Sequence, residues 1–500
     1  MARFLIETNP TEARVRKATV YQLKDLKSYD AIVVGGGVVG GATVLELSKY
    51  LSSIAWIFPN SKQQVSATYA AGAMLGAFGE IGISDTDSEF DTEFKFRLQA
   101  QNIYQQWMSE LTELSGLPIS QSKGTFIVGN TAGPQDSTVL ANIKRYGMNY
   151  PSFVETIEPS DVPGLHPTER YHPIGCLYLP NEHALSTSDL LRSLRIAAER
   201  SNKVQIIDDV VNQLKQQESN WVVKTSSERE FYSEKLVLCA GASSLDLLPE
   251  NLLGLTKMPK MFFGKGTSSL VQSSIKLPST IRTPNRAFAC GSHVVPRSGS
   301  SIYIGATNFF GSDSSVEAGV EVGELHMLFD QAIHQINTDL RHAKISENNY
   351  GFRPITTLRE PLVGKTKAEG LYIGTGTYRN GVLMAPLIAK ILAAEVINQE
   401  FDFVNPYSPE SPGDRTSNIE EIIEQGISDI VGILHEPNGV LPYDRSRELG
   451  DFMSTLFKMA ILSDEYSVQR EALLTKIKET PLNETLNRIF YDVISMKNEK

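Results

Sequence analysis

The chain has 500 residues, of which 41% are hydrophobic and 21% charged, and a formal net charge of -11. That is globular composition with enough apolar content for about two to four structural units, and the acidic balance argues against a duplex-binding protein, which needs a basic face. No run of about 20 apolar residues is available to span a membrane, and residues 1–30 lack the apolar core of a signal peptide, so a cytoplasmic location is expected. Residues 1–29 read as a polar, charge-mixed extension. A β-branched run at 30–34 predicts a buried strand, the glycines of 35–41 a turn, 42–51 a helix and 54–58 a second buried strand. That order opens a dinucleotide-binding fold.

A Gly/Ala-rich loop at 67–79 comes next, then an amphipathic helix at 94–114. Strands are predicted at 121–130, 153–158, 174–179, 203–207, 221–225 and 235–239, with a helix at 188–200. Alternating patterns at 269–272, 292–296 and 301–305 predict an antiparallel sheet, and a helix is expected at 321–337. The body closes with residues 351–354, a strand at 371–373 and a helix at 386–398. A linker rich in Pro, Ser and Asn (405–417) leads to an appended helical domain at 418–500, with amphipathic stretches at 419–433 and 449–462. The cysteines, Cys176, Cys239 and Cys290, lack metal-ligand or redox spacing and read as buried free thiols in a reducing compartment; no metal site is expected.

Gly35, Gly37 and Gly40 form a G-x-G-x-x-G motif between a predicted strand and a predicted helix. The first glycine makes the tight turn, the second lets backbone approach a pyrophosphate, and the third lets the helix pack on the strand. The helix N-terminus then offers unpaired N–H groups and a positive dipole end to the phosphates. The second strand should end in an acid that binds the adenosine ribose, yet this sequence runs Ile57-Phe58-Pro59-Asn60. Asn60 or Ser61 offers a weaker ribose contact; alternatively Pro59 and Asn60 only make a turn.

Three further segments carry a family resemblance. The loop Ser66-Ala67-Thr68-Tyr69-Ala70-Ala71-Gly72-Ala73-Met74-Leu75-Gly76-Ala77 resembles the flavin-side loop of glycine oxidases. His293-Val294-Val295-Pro296-Arg297 with Ile302-Tyr303-Ile304-Gly305-Ala306-Thr307 is similar to their substrate sheet. Gly351-Phe352-Arg353-Pro354 and Gly376-Thr377-Tyr378-Arg379-Asn380-Gly381-Val382-Leu383-Met384-Ala385-Pro386 resemble their C-terminal signature. Residues of about 30–400 thus resemble the D-amino-acid oxidase superfamily, glycine oxidase branch.

The resemblance implies a mixed α/β fold, in which a Rossmann-type FAD-binding domain interleaves with an antiparallel-sheet substrate domain. FAD-binding parts fall at about 30–90, 185–250 and 350–400, and substrate parts at about 91–184 and 251–349 of a body spanning 30–404. It implies FAD contacts at Gly35, Gly37, Gly40, Thr68, Ala71, Gly72, Ala73 and Met74, backbone contacts at Val210, Ala240 and Gly241, and a flavin ring facing Arg379, Asn380, Gly381, Val382 and Leu383. No cysteine falls in the C-terminal signature, so the FAD is expected to be non-covalent.

The implied reaction is oxidation of a small amine or amino acid by hydride transfer from its α-carbon to the flavin, with hydrolysis of the imine and reoxidation by O2. Arg353 matches the family's carboxylate-binding arginine, a role that suits a planar guanidinium fork. Arg379 is similar to a second family arginine, and packing, flavin contact and substrate entry remain open for it. Two positions depart from the pattern: His293 replaces an active-site tyrosine, and Thr377 replaces a histidine. His293 is expected to face the substrate, where it would bind an anionic group or tune the amine. Three alternatives stand beside the oxidase. The first is a dehydrogenase passing electrons to a quinone or carrier, the second an oxidase acting on an amine tethered to a carrier or macromolecule. The third is a flavin-binding partner without turnover of its own. A homo-oligomer is left open.

Overall fold

A computed structural model describes residues 27–60, 66–83, 85, 91–133, 135–256, 258–259, 261–286, 291–311, 319–356 and 359–409. The expected C-terminal helical domain, most of the N-terminal extension, Ser61 and Cys290 lie outside these residues. Two sheets organise the rest. The first has six strands in the order Leu362–Lys365, Leu371–Thr375, Leu236–Leu238, Ala31–Val34, Ile54–Phe58 and Val204–Asp208. All its pairings are parallel except that of the edge strand Leu362–Lys365.

The unbroken apolar runs of its central strands follow from burial on both faces. Ala31, Val33, Ile54, Trp56 and Phe58 join a core beneath helices Val38–Leu47, Thr92–Ser115, Thr187–Arg200 and Gly381–Val396. The alternate residues Ile32, Val34, Ala55 and Ile57 pack on the opposite side, against Leu214, Trp221 and Phe231 of a three-stranded antiparallel sheet. Side-chain caps set two of the helix starts. Asp91 accepts from the Phe94 N–H, and Ser186 accepts from the Asp189 N–H.

The second sheet runs Phe309–Gly311, Met261–Gln272, Ser301–Gly305, His293–Pro296, Thr280–Arg282, Thr125–Asn130, Pro173–Leu179 and Glu155–Ile157, with Lys344–Thr356 also paired to Met261–Gln272. It is antiparallel except where Thr280–Arg282 runs parallel to Thr125–Asn130. One face is covered by helix Val322–Gln331 and the π-helical turn Ala332–Ile336 that continues it. The other face turns toward the first sheet. Each sheet is assembled from separated stretches of chain, so the two units interleave as the resemblance implied.

Several elements differ from the sequence reading. The helix expected at 42–51 starts at Val38, inside the glycine motif, and the one expected at 386–398 starts at Gly381, with Pro386 inside it. The strand expected at 121–130 breaks at Gly124, whose φ of +73 takes the chain out of the ladder. Lys344–Thr356 is one long strand with no clean apolar alternation: it pairs along its length with Met261–Gln272, and Tyr350, Phe352, Arg353 and Pro354 within it also line a cleft. Helix Asp136–Gly147 was also unanticipated. Tyr407, in the expected linker, is buried with its ring 5.1 Å from Phe96. No helix among the described residues is long and apolar enough to cross a membrane. Cys176 and Cys239 are buried free thiols.

Candidate active site

A cleft of about 720 Å³ runs between the sheets, from the glycine motif at one end to Arg353, Tyr378 and Arg379 at the other. The glycine end is built from backbone. Gly35 has φ of +124, and a Cβ there would lie 2.1 Å from the Cys239 carbonyl oxygen. A Cβ on Gly40 would lie 2.1 Å from the Gly35 carbonyl oxygen. That carbonyl also accepts from Trp56 Nε1 at 2.8 Å, which fixes the turn against the second strand. Gly37 is the N-cap of Val38–Leu47, so the start of that helix faces the cleft with its positive dipole end. Thr68 Oγ1 accepts from the Val38 N–H at 3.2 Å and ties the 66–75 loop to this turn.

The 66–75 loop is clamped by the second sheet and by the segment 183–185. The Ala70 carbonyl accepts from Ser268 Oγ and from Tyr303 Oη, each at 2.9 Å. Arg297 donates to the Gly72 carbonyl at 3.0 Å while lying over the Tyr303 ring. Burial lowers the Arg297 pKa to about 10. The Leu185 N–H donates to the Ala73 carbonyl at 3.1 Å, and the Leu75 N–H to that of His183 at 2.7 Å. These bonds hold Ala73 at a positive φ of +49.

The far end is built from charged side chains. Arg353 Nη1 donates to the Thr307 carbonyl at 3.0 Å and to Asn308 Oδ1 at 2.9 Å. Asn308 Nδ2 donates in turn to Tyr378 Oη at 2.6 Å. The neighbouring Arg379 lies with its guanidinium 5.0 Å from the Tyr378 ring centroid. It pairs with Glu80 at 3.4 Å and reaches Asn285 Oδ1 at 3.4 Å. Glu80 also accepts from the fully buried Arg282 at 2.9 Å. Burial works against ionising Glu80, but the charges of Arg379 and Arg282 prevail and lower its pKa to about 2. Below it, Glu182 accepts from the N–H groups of Phe78 and Gly79, and burial still raises its pKa to about 7.

The FAD dependent oxidoreductase family, DAO, matches residues 30–395. The chain belongs to this family. A glycine oxidase of Geobacillus kaustophilus (strain HTA426) is 28% identical over 389 residues, 76% of this chain and 96% of that protein. A crystal structure of glycine oxidase from Geobacillus kaustophilus has a TM-score of 0.67 at 25% identity and covers 78% of this chain and 100% of that one. A dithionite-reduced L-α-glycerophosphate oxidase from Mycoplasma pneumoniae, with FAD bound, has a TM-score of 0.62 at 18% identity over 77% of this chain and 98% of that one, which is a likeness of fold.

The residues present suit FAD, the family's cofactor. A pyrophosphate needs close backbone approach and the N–H end of a helix, and the glycine turn provides the first and the start of helix Val38–Leu47 the second. Of the positions expected to hold the cofactor, Gly35, Gly37, Thr68, Ala71, Val210, Ala240, Gly241, Gly381 and Val382 line the cleft. Gly40 packs beneath it, while Gly72, Ala73, Met74 and Leu383 lie off its wall in the loop and helix that flank it. The Val210 N–H is already bonded to Asp209 and its carbonyl to Ser226. Asn60 is turned away, donating to Asp208 at 2.7 Å and accepting from Arg195 at 2.9 Å. Pro59 and Asp209 line the cleft where a ribose acid was sought. Burial of Asp209 is outweighed by hydrogen bonds, first from Arg229 at 2.7 Å, which lower its pKa below the usual carboxylate range.

Among the positions expected to act on substrate, Arg353 and Arg379 line the cleft and His293 does not. The His293 ring stacks on Tyr303 at 5.7 Å and sits behind the flavin-side loop, where a Cβ on Gly72 would lie 3.2 Å from its Nε2. Burial and the nearby Arg282 charge lower its pKa to about 3, so the imidazole is neutral. Sequence reading passed over Glu80, Arg282, Asn285 and Asn308. The available signal was a polar or charged residue inside an otherwise apolar or small-residue stretch, as at Glu80.

Proposed function

We propose that the protein oxidises a small primary or secondary amine that carries a carboxylate, an amino acid of the glycine type. The observation that carries this reading is Arg353. Its guanidinium is held from behind by Thr307 and Asn308 and lines the cleft at the end away from the phosphate cradle. A planar fork fixed in that way binds a carboxylate bidentately and sets where the adjacent α-carbon lies. Likeness to glycine oxidase supports the same substrate class.

Bound FAD supplies the hydride acceptor, and O2 takes up the two electrons as H2O2. The chain's own part is positioning. Asp209 is the one carboxylate among the described cleft residues, it pairs with Arg229, and no imidazole lines the cleft. With no side-chain base beside Arg353, the amine has to arrive neutral, and the cationic Arg353 and Arg379 favour its deprotonated form. The imine is released and hydrolysed in water.

The test is the visible spectrum of the purified protein under anaerobic addition of glycine, sarcosine, D-alanine and D-proline. Flavin bands that bleach with one of them support the proposal. Fast recovery on admitting air identifies an oxidase, and slow recovery a dehydrogenase that uses a quinone or carrier. Bands unmoved by all four exclude a free small amino acid and favour a larger or tethered amine.

A further inference from the structure

A second, smaller chamber of about 190 Å³ adjoins the cleft and shares Thr377, Tyr378 and Arg379 with it. These residues form the partition between the two spaces. Both large side chains of the partition are held from opposite ends. Tyr378 is tied through Asn308 to Arg353. Arg379 is tied to Glu80 and Asn285, which also hold each other through Asn285 Nδ2 and Glu80 Oε2 at 3.3 Å. Arg282 pins the other Glu80 oxygen.

Acidic residues of the chamber wall are already committed. Asp91 accepts from the Phe94 N–H and from Tyr146 Oη, and Asp85 accepts from the Gly82 N–H. Glu93 pairs with Arg97 Nη1 at 2.8 Å. Arg97 is itself buried, and its Nε and Nη2 have no hydrogen-bond partner. The wall therefore offers donors to an arm that ends in an acceptor, a carboxylate or an amide carbonyl.

We propose that Glu80 is a positioning residue that sets substrate size: by holding Arg379 in the partition it closes the side chamber and confines the cleft to small amines. The inference rests on the proposed amine site. Once Arg379 is loosened, the chamber accepts an N-substituent of about the size of a carboxymethyl group, with Arg97 as its donor.

The test compares flavin-bound wild type, E80Q and E80D by titration with acetate and with iminodiacetate, read from perturbation of the flavin absorbance. E80Q keeps the side-chain volume and removes the charge that holds Arg379. The ratio of iminodiacetate to acetate affinity is expected to rise roughly tenfold in E80Q, the scale of one partly buried ion pair. E80D keeps the charge and is expected to restore the wild-type ratio. In turnover, E80Q is expected to raise the KM for glycine more than it lowers kcat. A ratio within about twofold of wild type in E80Q, with the flavin still bound, overturns the partition and leaves the amine reading standing. A wild-type flavin spectrum that acetate does not perturb overturns the carboxylate site, and the partition falls with it.

Discussion

The two ends of the cleft are made of different materials. At the cradle the site is backbone: glycines pressed against carbonyls, and the first turn of a helix. At the substrate end it is side chains from distant segments, with Glu80, Arg282, Asn285 and Arg379 in one charged network and Arg353 held beside it by Thr307 and Asn308. Backbone geometry tolerates almost no substitution at its contact points, because a Cβ has no rotamer with which to escape. A network of buried charges is graded instead, since each member shares its partner with another.

The largest effects are therefore expected at the cradle. Gly40→Ala places a Cβ 2.1 Å from the Gly35 carbonyl, inside any allowed contact. The helix must shift off the strand, and the variant is expected to lose FAD or fail to fold. Flavin-to-protein absorbance of the purified variant checks this, and full FAD occupancy would break the comparison. At the other end, Arg353→Met is expected to keep its FAD while kcat/KM falls roughly 100- to 1,000-fold, or about 3–4 kcal/mol of transition-state binding. Arg353→Lys keeps the charge but loses the fork, so only part of that activity is expected back. Steady-state kinetics with the best amine decide it, and equal loss in both variants would mean that shape matters more than charge there.

The same difference explains what the sequence reveals. The cradle lies within residues 35–40, because one turn has to close locally, and its glycines announce it. The helix start at Val38 follows from the turn itself. Glu80 lies some 200 positions from Arg282 and Asn285, and about 300 from Arg379. Only the crossing of the two sheets brings them together, and no local period records that crossing. Arg353 was found through a resemblance. The strand that carries it lacks alternation because Tyr350, Phe352, Arg353 and Pro354 answer to the site as well as to the sheet ladder. His293 was expected to face substrate from its place in the strand, but nothing local tells which neighbouring loop lies over that face.

Smaller effects are expected in the response of stability to pH, from two buried groups behind the substrate end. His293 is neutral in the folded protein, with its pKa lowered to about 3, and takes up a proton below pH 6.5 once unfolded. The unfolded state then binds more protons in that window, so stability falls as pH drops, by at most about 1.4 kcal/mol per unit. Glu182 works in the opposite sense. Its folded pKa of about 7 lies above the ordinary 4.5, so its contribution is lost as pH rises between them. The two oppose each other between about pH 4.5 and 6.5. His293→Asn is expected to flatten the acid limb of a denaturation-midpoint profile and to leave the limb governed by Glu182. An unchanged acid limb would place the imidazole's charge elsewhere.

The smallest effect is expected at Asn60, where the sequence offered either a ribose contact or a turn. Its amide donates to Asp208 and accepts from Arg195 at the half-buried end of the second strand, so its bonding capacity is spent within the fold. Asn60→Ala removes surface hydrogen bonds and leaves Pro59 and Asp209 on the cleft wall unchanged. FAD affinity is expected to change by less than about threefold and stability by about 0.5 kcal/mol or less. Equilibrium titration of the apoprotein with FAD measures the first. A tenfold loss would return Asn60 to the cofactor and show that the cradle also depends on a side chain, which would blur the division between the two ends.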